Sequence, residues 1–358
     1  RRLHRRLRRL KIYVLFGDHI HPESSPPSAC RVICKIPMRR EDLISDNINQ
    51  DNTEPFDGLI IKGVGGLYTV RRGDGICVKA KPRGIFRKKR IIPTVGDYVY
   101  VEPTTDPDVP YAISDIQPRK NLMIRPPIAN VDLLFLTFST MQPSPYLELL
   151  DKLLILCHKN NIIPVIWITK MDLDPETGRA MRDIYHGVGY EVICTSFEEV
   201  PDKSIFIKYF NHRTVGFAGQ SGVGKSTLCN LLTGISEREV GKISDRLNQG
   251  KHTTRHVELF PFAQGYLIDS PGFTNLDIME ADISVSDIRQ GYPEYDKIRG
   301  QCQFDDCLHL GEKGCAVDKS GIHPGRLDRY RAFIKTARDN EYNKRNKREN
   351  RHVAEDER

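Results

Sequence analysis

The sequence predicts an α/β protein with three folded parts in series: a small β-barrel, a doubly wound sheet and a short helical part. Short strand-like runs separated by Gly, Asp or Pro turns occupy residues 58–117. Apolar strands then alternate with helical periodicity to about residue 277, and a Cys/His cluster follows. We therefore expect domains at 58–118, 119–280 and 281–340, with an N-terminal extension at 1–57 and a basic polar tail at 341–358.

Charge is concentrated at the start of the chain. The formal net charge is +7, and residues 1–11 contain seven basic residues and no acid, so the remainder is balanced. Bulk charge therefore does not indicate nucleic-acid binding. The first 37 residues are open to three interpretations: a basic RNA-binding arm, an Arg-rich leader, or an extension upstream of a start at Met38. The polar run after Met38 predicts disorder.

The cysteines and the apolar runs indicate the cellular compartment in which the protein works. Nine cysteines, an odd number, without a secretory signal indicate a reducing compartment, so we expect a cytoplasmic protein. No run approaches the roughly 18 apolar residues that cross a bilayer, so we expect no membrane contact. Six cysteines are scattered and are expected to be small, mostly buried side chains: Cys30, Cys34, Cys77, Cys157, Cys194 and Cys229.

The barrel is predicted from β-rich runs at 58–63, 67–70, 75–80 and 97–101. Four or five strands in about sixty residues suggest an OB-fold. Five basic residues share one intervening loop, where they either contact RNA phosphates or form a solvated charged surface: Arg83, Arg87, Lys88, Lys89 and Arg90.

The second domain is predicted from apolar strands and intervening helices. Near-continuous apolar content indicates strands buried on both faces, as in a parallel sheet. Helical periodicity appears in Tyr146 to His158 and in Lys225 to Leu232. The predicted strands are Val131 to Phe138, Ile163 to Thr169, Glu191 to Thr195, Thr214 to Ala218 and Tyr266 to Asp269.

A phosphate-binding loop follows the fourth of these strands. The sequence there matches G-x-x-x-x-G-K-[ST], with an apolar strand before it and a helix after it. Glycines let successive N–H groups point at phosphate oxygens, Lys225 reaches the β- and γ-phosphates, and the Ser226 hydroxyl binds Mg²⁺. The predicted nucleotide-binding residues of this loop are Gly219, Gln220, Ser221, Gly222, Val223, Gly224, Lys225, Ser226 and Thr227.

A base-reading motif is predicted at Thr169, Lys170, Met171 and Asp172, after an apolar strand. The Asp172 carboxylate can accept hydrogen bonds from guanine N1–H and the 2-amino group, which adenine cannot offer. Nucleotide switches that read guanine usually have Asn-Lys-x-Asp, so Thr169 departs from the pattern. Thr195-Ser196, at the end of the next strand, fits the loop that flanks the base.

Two further segments complete the predicted site. Asp269-Ser-Pro-Gly272 lies at the end of a strand, where Asp269 can hold Mg²⁺ through water and the Gly272 N–H can sense the γ-phosphate. Thr253-Thr254, between this segment and the phosphate-binding loop, supplies a threonine that completes Mg²⁺ coordination when the γ-phosphate is present.

Hydrolysis needs a group that orients the attacking water. Many GTPases place Gln after D-x-x-G, but Phe273 occupies that position here and cannot hold water. His252 is the best candidate, since a neutral imidazole accepts a hydrogen bond from water. A packing role for this histidine near phosphate remains the alternative. The predicted catalytic residues are His252, Lys225 and Thr254.

The order of the motifs points to a family. In an ordinary GTPase the phosphate-binding loop comes first and the base reader near the end, whereas here the base reader precedes it. This circular permutation, with GQSGVGKST, KHTT, DSPGF, a barrel in front and a Cys/His cluster behind, resembles the RsgA (YjeQ) family over about Gly58 to Ala337. The resemblance implies a circularly permuted P-loop GTPase domain between an OB-like barrel and a helical zinc-binding domain.

The resemblance also implies function and partners. It implies a GTPase that acts in late maturation of the small (30S) ribosomal subunit, slow alone and stimulated by that subunit. The expected partners are GTP/GDP with Mg²⁺, the subunit and its rRNA, and we expect a monomer. Two alternatives stay open: an RNA-binding scaffold that uses GTP as a latch with incidental hydrolysis, and a P-loop ATPase or kinase.

A metal site is predicted at Cys302, Cys307, His309 and Cys315, within fourteen residues. A tetrahedral Cys₃His set suits Zn²⁺ and is closed, hence structural. From chemistry alone, free thiols in a loop remain the alternative, since the spacing differs from the familiar C-x₂-C pair. The resemblance implies that these four residues are the zinc ligands, one ion per chain. So short a segment lacks a core, so the metal would supply much of its folding energy.

Overall fold

The computed structural model describes residues 54–196, 204–225, 227, 229, 232, 257–269, 283–317 and 321–356. The described chain divides into two compact units, one ending at Pro118 and the other beginning at Arg119. Most of the predicted N-terminal extension lies outside the described residues. Five predicted site residues also lie outside them: Ser226, His252, Thr253, Thr254 and Gly272.

The first unit is a five-stranded barrel. Its strands hydrogen-bond in the order β1-β2-β3-β5-β4, and β4 pairs back onto β1, which closes the barrel. The β3–β5 pairing is parallel and the others are antiparallel. This closed five-stranded arrangement confirms the predicted OB-like barrel. The strands are β1 Phe56–Val64, β2 Leu67–Arg72, β3 Cys77–Pro82, β4 Tyr98–Pro103 and β5 Tyr111–Ile116.

Alternate side chains of the strands fill the barrel interior. In β4, Val99 and Val101 are fully buried while Tyr98 and Tyr100 are exposed, as the two-residue period of a strand requires. The basic segment between β3 and β4 includes a short helix, α1 Ile85–Lys89, which buries Phe86 and leaves its basic side chains exposed.

The second unit contains a six-stranded sheet with the order β10-β9-β8-β11-β13-β12. The first five are parallel, as predicted, and β12 is antiparallel to β13. The sequence analysis did not predict β12, which contains Pro261, a residue that is uncommon inside strands. The strands are β8 Leu133–Ser139, β9 Ile163–Thr169, β10 Glu191–Cys194, β11 Thr214–Gly219, β12 Glu258–Phe262 and β13 Gly265–Asp269; a hairpin, β6 Leu122–Ile124 and β7 Pro127–Ala129, precedes them.

Helices flank the sheet and continue beyond it. Their starts follow ordinary capping chemistry: the Asp174 carboxylate accepts the Thr177 N–H at 3.0 Å, and Ser284 and Asp287 form a capping box. The helices are α2 Leu147–Lys159, α3 Pro175–Gly187, α4 Ser204–Ile207, α5 Val285–Gln290 and α6 Pro324–Asp356, with 3₁₀ turns at Lys208–Phe210 and Pro293–Ile298.

The last helix is longer than the sequence pattern indicated. It runs to Asp356, through the segment that we expected to be a polar tail from residue 341. None of the helices in the described part of the chain combines the length and the apolar character that a membrane span needs.

Two apolar cores stabilise this unit. One lies against the sheet, where Phe135 stacks on Phe217 with ring centroids 5.2 Å apart and meets Phe206 edge-on. The other lies among α5, the 3₁₀ turn at Pro293–Ile298 and α6, and it includes Ile155 from α2. Because Ile155 belongs to both α2 and the second core, the C-terminal helices pack directly on the sheet domain.

A buried ionic cluster also joins these parts. We call it the Asp151 cluster; it comprises Asp151, Tyr185, Tyr292, Glu294, Arg326 and Arg329. The Asp151 carboxylate accepts Arg326 Nη1 at 2.6 Å, Arg329 Nε at 2.5 Å, Tyr185 OH at 2.8 Å and Tyr292 OH at 3.1 Å. Arg326 Nε and Nη2 donate to the two Glu294 oxygens at 2.5 and 3.1 Å.

The cluster satisfies its charges inside the protein. Asp151 and Arg326 are fully buried, and all four acceptor positions of the Asp151 carboxylate are used. Since Asp151 lies on α2 and both arginines lie on α6, this ionic contact fastens the C-terminal helix to the sheet domain.

We predict that Arg326→Met lowers the free energy of unfolding by about 3–5 kcal/mol, because it leaves the buried Glu294 carboxylate without a cation and Asp151 with Arg329 alone. Urea unfolding followed by fluorescence of Trp167, the single tryptophan, measures the change. Arg299→Met is the matched control, since Arg299 pairs with Asp296 on the surface and should contribute at most about 1 kcal/mol. Equal effects of the two substitutions would contradict the prediction.

Candidate functional site

The predicted nucleotide-binding segments meet at one edge of the sheet. Parallel strands end at the same edge, and the segments 169–172, 195–196 and 219–225 follow β9, β10 and β11. Asp269, the last residue of β13, lies at the same edge and is exposed. The fold therefore brings together four segments that are up to a hundred residues apart in the chain.

The backbone conformation of the phosphate-binding loop depends on three glycines. Gly219, Gly222 and Gly224 have φ angles of 127°, 80° and 100°, which side-chain-bearing residues rarely adopt. A Cβ on Gly219 would also lie 2.0 Å from the carbonyl oxygen of Thr137 in β8. Only glycine fits at this position, because the backbone of β11 passes so close to β8.

Lys225 begins the helical turn after the loop. Its ammonium donates to the carbonyl oxygen of Gly219 at 2.9 Å and also to that of Gln220. Burial lowers the pKa of Lys225 to about 8. A cation held close to loop carbonyls and poorly solvated is well suited to bind an anionic phosphate.

Thr169, the departure from the usual base-reading motif, connects two parts of the site. It is buried, and its hydroxyl lies 2.9 Å from the carbonyl oxygen of Val223 in the phosphate-binding loop and 3.3 Å from that of Phe138. A hydroxyl has one proton, so the shorter contact to Val223 is the better candidate for its donated bond. The hydroxyl therefore attaches the base-reading segment to the loop.

Lys170 makes a second connection between these segments. Its ammonium donates to the carbonyl oxygen of Gly222 at 3.1 Å and to that of Gln142. Its own carbonyl oxygen accepts the Thr140 hydroxyl at 2.6 Å. The loop 140–146, which the sequence analysis did not identify, is thus part of the site; nothing in its composition indicates this role.

The remaining predicted base-side residues lie close together. The Met171 N–H donates to the carbonyl oxygen of Thr195 at 3.1 Å, and the Thr195 hydroxyl accepts Trp167 Nε1–H at 2.9 Å. Asp172 and Ser196 are half-buried in the segments that follow β9 and β10. Ser221 and Thr227 are exposed, and Val223 is buried. The structure therefore brings the two base-side segments into direct main-chain contact.

The predicted metal ligands converge. The ligand atoms of Cys302, Cys307, His309 and Cys315 all lie within 4.8 Å of one another. His309 Nδ1 is 3.6, 3.7 and 3.3 Å from the three sulfurs in that order. A tetrahedral Zn²⁺ ion with ordinary bond lengths separates a sulfur and a nitrogen ligand by about 3.6 Å. The donor set and its spacing therefore fit Zn²⁺.

Neighbouring residues hold His309 in place. Its ring stacks on Tyr295 with centroids 4.9 Å apart, and its carbonyl oxygen accepts Arg331 Nε–H at 2.9 Å. Glu312 accepts the N–H groups of Leu308 and Leu310 at 3.0 and 2.6 Å, which shapes the turn around the histidine. Such support orients a metal ligand before the ion binds.

Comparison with known families agrees with this architecture. A family model described as RsgA GTPase matches residues 116–279, and one described as RsgA N-terminal domain matches residues 57–108. The chain belongs to the RsgA family of circularly permuted GTPases. As a member of the RsgA family, it is a GTP hydrolase.

Relatives of the RsgA family resemble the chain over most of its length. The small ribosomal subunit biogenesis GTPase RsgA of Bacillus velezensis is 40% identical over 288 residues, 78% of this chain and 96% of the relative. That of Bacillus subtilis is 40% identical over 283 residues, 77% of this chain and 93% of the relative.

Two solved structures are also similar. One is YloQ, described as a circularly permuted GTPase, with a TM-score of 0.65 and 36% identity over 81% of this chain and 97% of YloQ. The other is YjeQ from Thermotoga maritima, with a TM-score of 0.65 and 30% identity over 79% of this chain and 99% of YjeQ. The permuted fold and the RsgA family resemblance are therefore confirmed.

We predict that Thr169→Val weakens GDP binding, because it removes the hydroxyl bond to the Val223 carbonyl while keeping the side-chain shape. A lost buried hydrogen bond costs about 1–2 kcal/mol, or roughly five- to thirtyfold in affinity. Titration with a fluorescent GDP analogue measures the change. Thr169→Ser keeps the hydroxyl and should bind within about twofold of the parent chain; equal losses for Val and Ser would exclude this role.

We also predict that GDP affinity falls as pH rises through the pKa of Lys225. Phosphate favours the ammonium form, so binding takes up a proton when Lys225 is neutral in the free protein. With a free-protein pKa of about 8, affinity should decrease about tenfold between pH 7 and pH 9 through this residue. In Lys225→Arg, which stays charged, this component of the decrease should disappear. Identical pH profiles for the two proteins would contradict the assignment.

Proposed function

We propose that this chain binds GTP and hydrolyses it to GDP and phosphate in the late maturation of the small ribosomal subunit. The single observation that carries the proposal is the meeting of the phosphate-binding, base-reading and Asp269 segments at one sheet edge, in permuted order. Relatives that cover most of the chain carry the name small ribosomal subunit biogenesis GTPase, which supports the cellular role.

Each segment has a distinct task in nucleotide binding. Asp172 reads guanine N1–H and the 2-amino group, while Thr195 and Ser196 flank the base. The N–H groups of the phosphate-binding loop and Lys225 bind the phosphates. The Ser226 hydroxyl, Thr254 or Thr253, and Asp269 would hold the Mg²⁺ ion that accompanies GTP, and the ion would neutralise charge on the phosphates.

Hydrolysis proceeds by attack of water on the γ-phosphate, which releases GDP and phosphate. Lys225 stabilises the charge that develops on the phosphate oxygens. His252 orients the attacking water, and the Gly272 N–H senses the γ-phosphate. Phe273 leaves this position without a polar group, which supports assigning the role to His252, beside Thr253 in the sequence.

A structural Zn²⁺ ion at Cys302, Cys307, His309 and Cys315 completes the C-terminal part. The four donors and their spacing support this assignment. A bound metal would add folding energy to this segment, whose residues Ala316 and Val317 also belong to the second apolar core. We further propose that the protein acts as a cytoplasmic monomer, and that Arg83 and the basic residues 87–90 contact rRNA phosphates of the subunit.

The proposal predicts a hydrolysis rate that rises on addition of purified small subunits, while Lys225→Ala loses both nucleotide binding and turnover. Phosphate release with and without subunits provides the measurement, with large subunits as the control. His252→Ala should lose the stimulated rate but retain GDP binding. Stimulation that persists in His252→Ala would remove this histidine from the mechanism.

Two other outcomes would replace the proposal. Binding to the subunit with no stimulated hydrolysis would favour a scaffold that uses GTP as a latch. Equal competition by GDP and ADP for the site would favour an ATPase or kinase.

A further inference from the structure

The loop 140–146 lies between β8 and α2, next to the phosphate-binding loop. Gln220 reaches across to it from the second position of the phosphate-binding loop. Its side-chain Oε1 accepts the Tyr146 N–H at 3.0 Å, and its Nε2 donates to the Ser144 carbonyl oxygen at 2.9 Å. Both polar ends of the Gln220 amide are therefore used by main-chain groups of loop 140–146.

Other contacts hold loop 140–146 in a defined shape. The Ser139 hydroxyl donates to the Pro143 carbonyl oxygen at 2.8 Å, and Lys170 donates to the carbonyl oxygen of Gln142. A loop fixed at several points can transmit a displacement at one end to the other, because little of it is free to absorb the change.

Helix α2 starts at Leu147, directly after the Tyr146 N–H that Gln220 binds. Asp151 lies four residues further along, about 6 Å at the rise of an α-helix. It is the centre of the Asp151 cluster, which contains Arg326 and Arg329 of α6. Glu294 of the same cluster directly precedes Tyr295, whose ring stacks on the predicted metal ligand His309. One rigid helix therefore connects the phosphate-binding loop to the C-terminal part.

We propose that Gln220 is a positioning residue that couples the phosphate-binding loop to the Asp151 cluster through the first turn of α2. This inference rests on the proposed nucleotide site and adds to it a defined link with the C-terminal helices. A change in how these helices hold Asp151 alters the position of Tyr146, and Gln220 passes that change to the loop that binds phosphate.

The first test compares Gln220→Leu with the parent chain. The substitution keeps the side chain's approximate size and removes both hydrogen bonds, so GDP affinity should fall about three- to tenfold. Hydrogen exchange of the peptide around Tyr146 should accelerate, because this N–H loses its acceptor. Gln301→Leu is the matched control: Gln301 also donates to a main-chain carbonyl, that of Lys297, but in the C-terminal part. It should leave GDP affinity unchanged.

A conservative variant tests the role if Gln220→Leu does not fold. Gln220→Glu keeps an acceptor for the Tyr146 N–H and loses the donor to Ser144, so its exchange at Tyr146 should remain close to that of the parent chain. Exchange at Tyr146 that is clearly faster in Gln220→Glu than in the parent chain would overturn the proposed contact.

The second test measures coupling with a double-mutant cycle. Arg329→Met removes one bond to Asp151 and retains Arg326, and it should weaken GDP binding about two- to threefold in the parent chain. In the Gln220→Leu background the same substitution should have no further effect, because the connection is already broken. Equal effects in both backgrounds would show that the two sites act independently and would overturn the inference.

These outcomes are distinguishable from a failure of the proposed function. If the parent chain shows no preference for GDP over ADP, the assignment of the nucleotide site fails before Gln220 is considered. If it binds GDP selectively and the Gln220 variants bind with the parent affinity, only the positioning role is excluded.

Discussion

The close approach of β11 to β8 is the constraint on which the nucleotide site depends. These strands pair in parallel with Gly219 opposite Thr137, and a Cβ at Gly219 would lie 2.0 Å from the Thr137 carbonyl oxygen. The phosphate-binding loop therefore leaves the sheet at a fixed distance from loop 140–146. Every further contact of the site, including those of Gln220, Thr169 and Lys170, starts from this arrangement.

Circular permutation changes the order of the segments along the chain. It leaves the arrangement of these segments at the sheet edge unchanged. Because β8 is the first strand of the six-stranded sheet in chain order, the loop after it leads straight into α2, which carries Asp151. The C-terminal helices then return to α2 and contact it through Arg326 and Arg329. The metal-binding part is thus packed on the same helix that begins beside the phosphate-binding loop.

Much of this architecture follows from local sequence pattern. The strand Ile163–Thr169 was predicted with the same ends, because a continuous apolar run predicts a buried parallel strand. The Cys/His cluster was predicted from its set of donor side chains and from the family resemblance, and its side chains do converge. The strand β12 was not predicted; it contains Pro261, and it pairs with β13 across a turn.

The features that the sequence did not predict depend on long-range polar contacts. In the sequence, Gln220 is one more residue of the phosphate-binding loop. Its hydrogen-bond partners nevertheless lie more than seventy residues earlier in the chain. The sequence analysis gave Asp151 no role, and the burial of this carboxylate depends on arginines about 175 residues away. The periodicity of the local sequence cannot predict such a contact, because a buried charge is tolerated only where an opposite charge from a distant part of the chain pairs with it.

The reading of guanine by Asp172 is the central claim, and exchange of the base tests it most directly. Xanthine carries a carbonyl where guanine carries the 2-amino group, so an amide at position 172 can donate to it. Asp172→Asn should lose affinity for GDP and gain affinity for xanthosine diphosphate, which reverses the preference of the parent chain. An unchanged preference for GDP in Asp172→Asn would contradict the account.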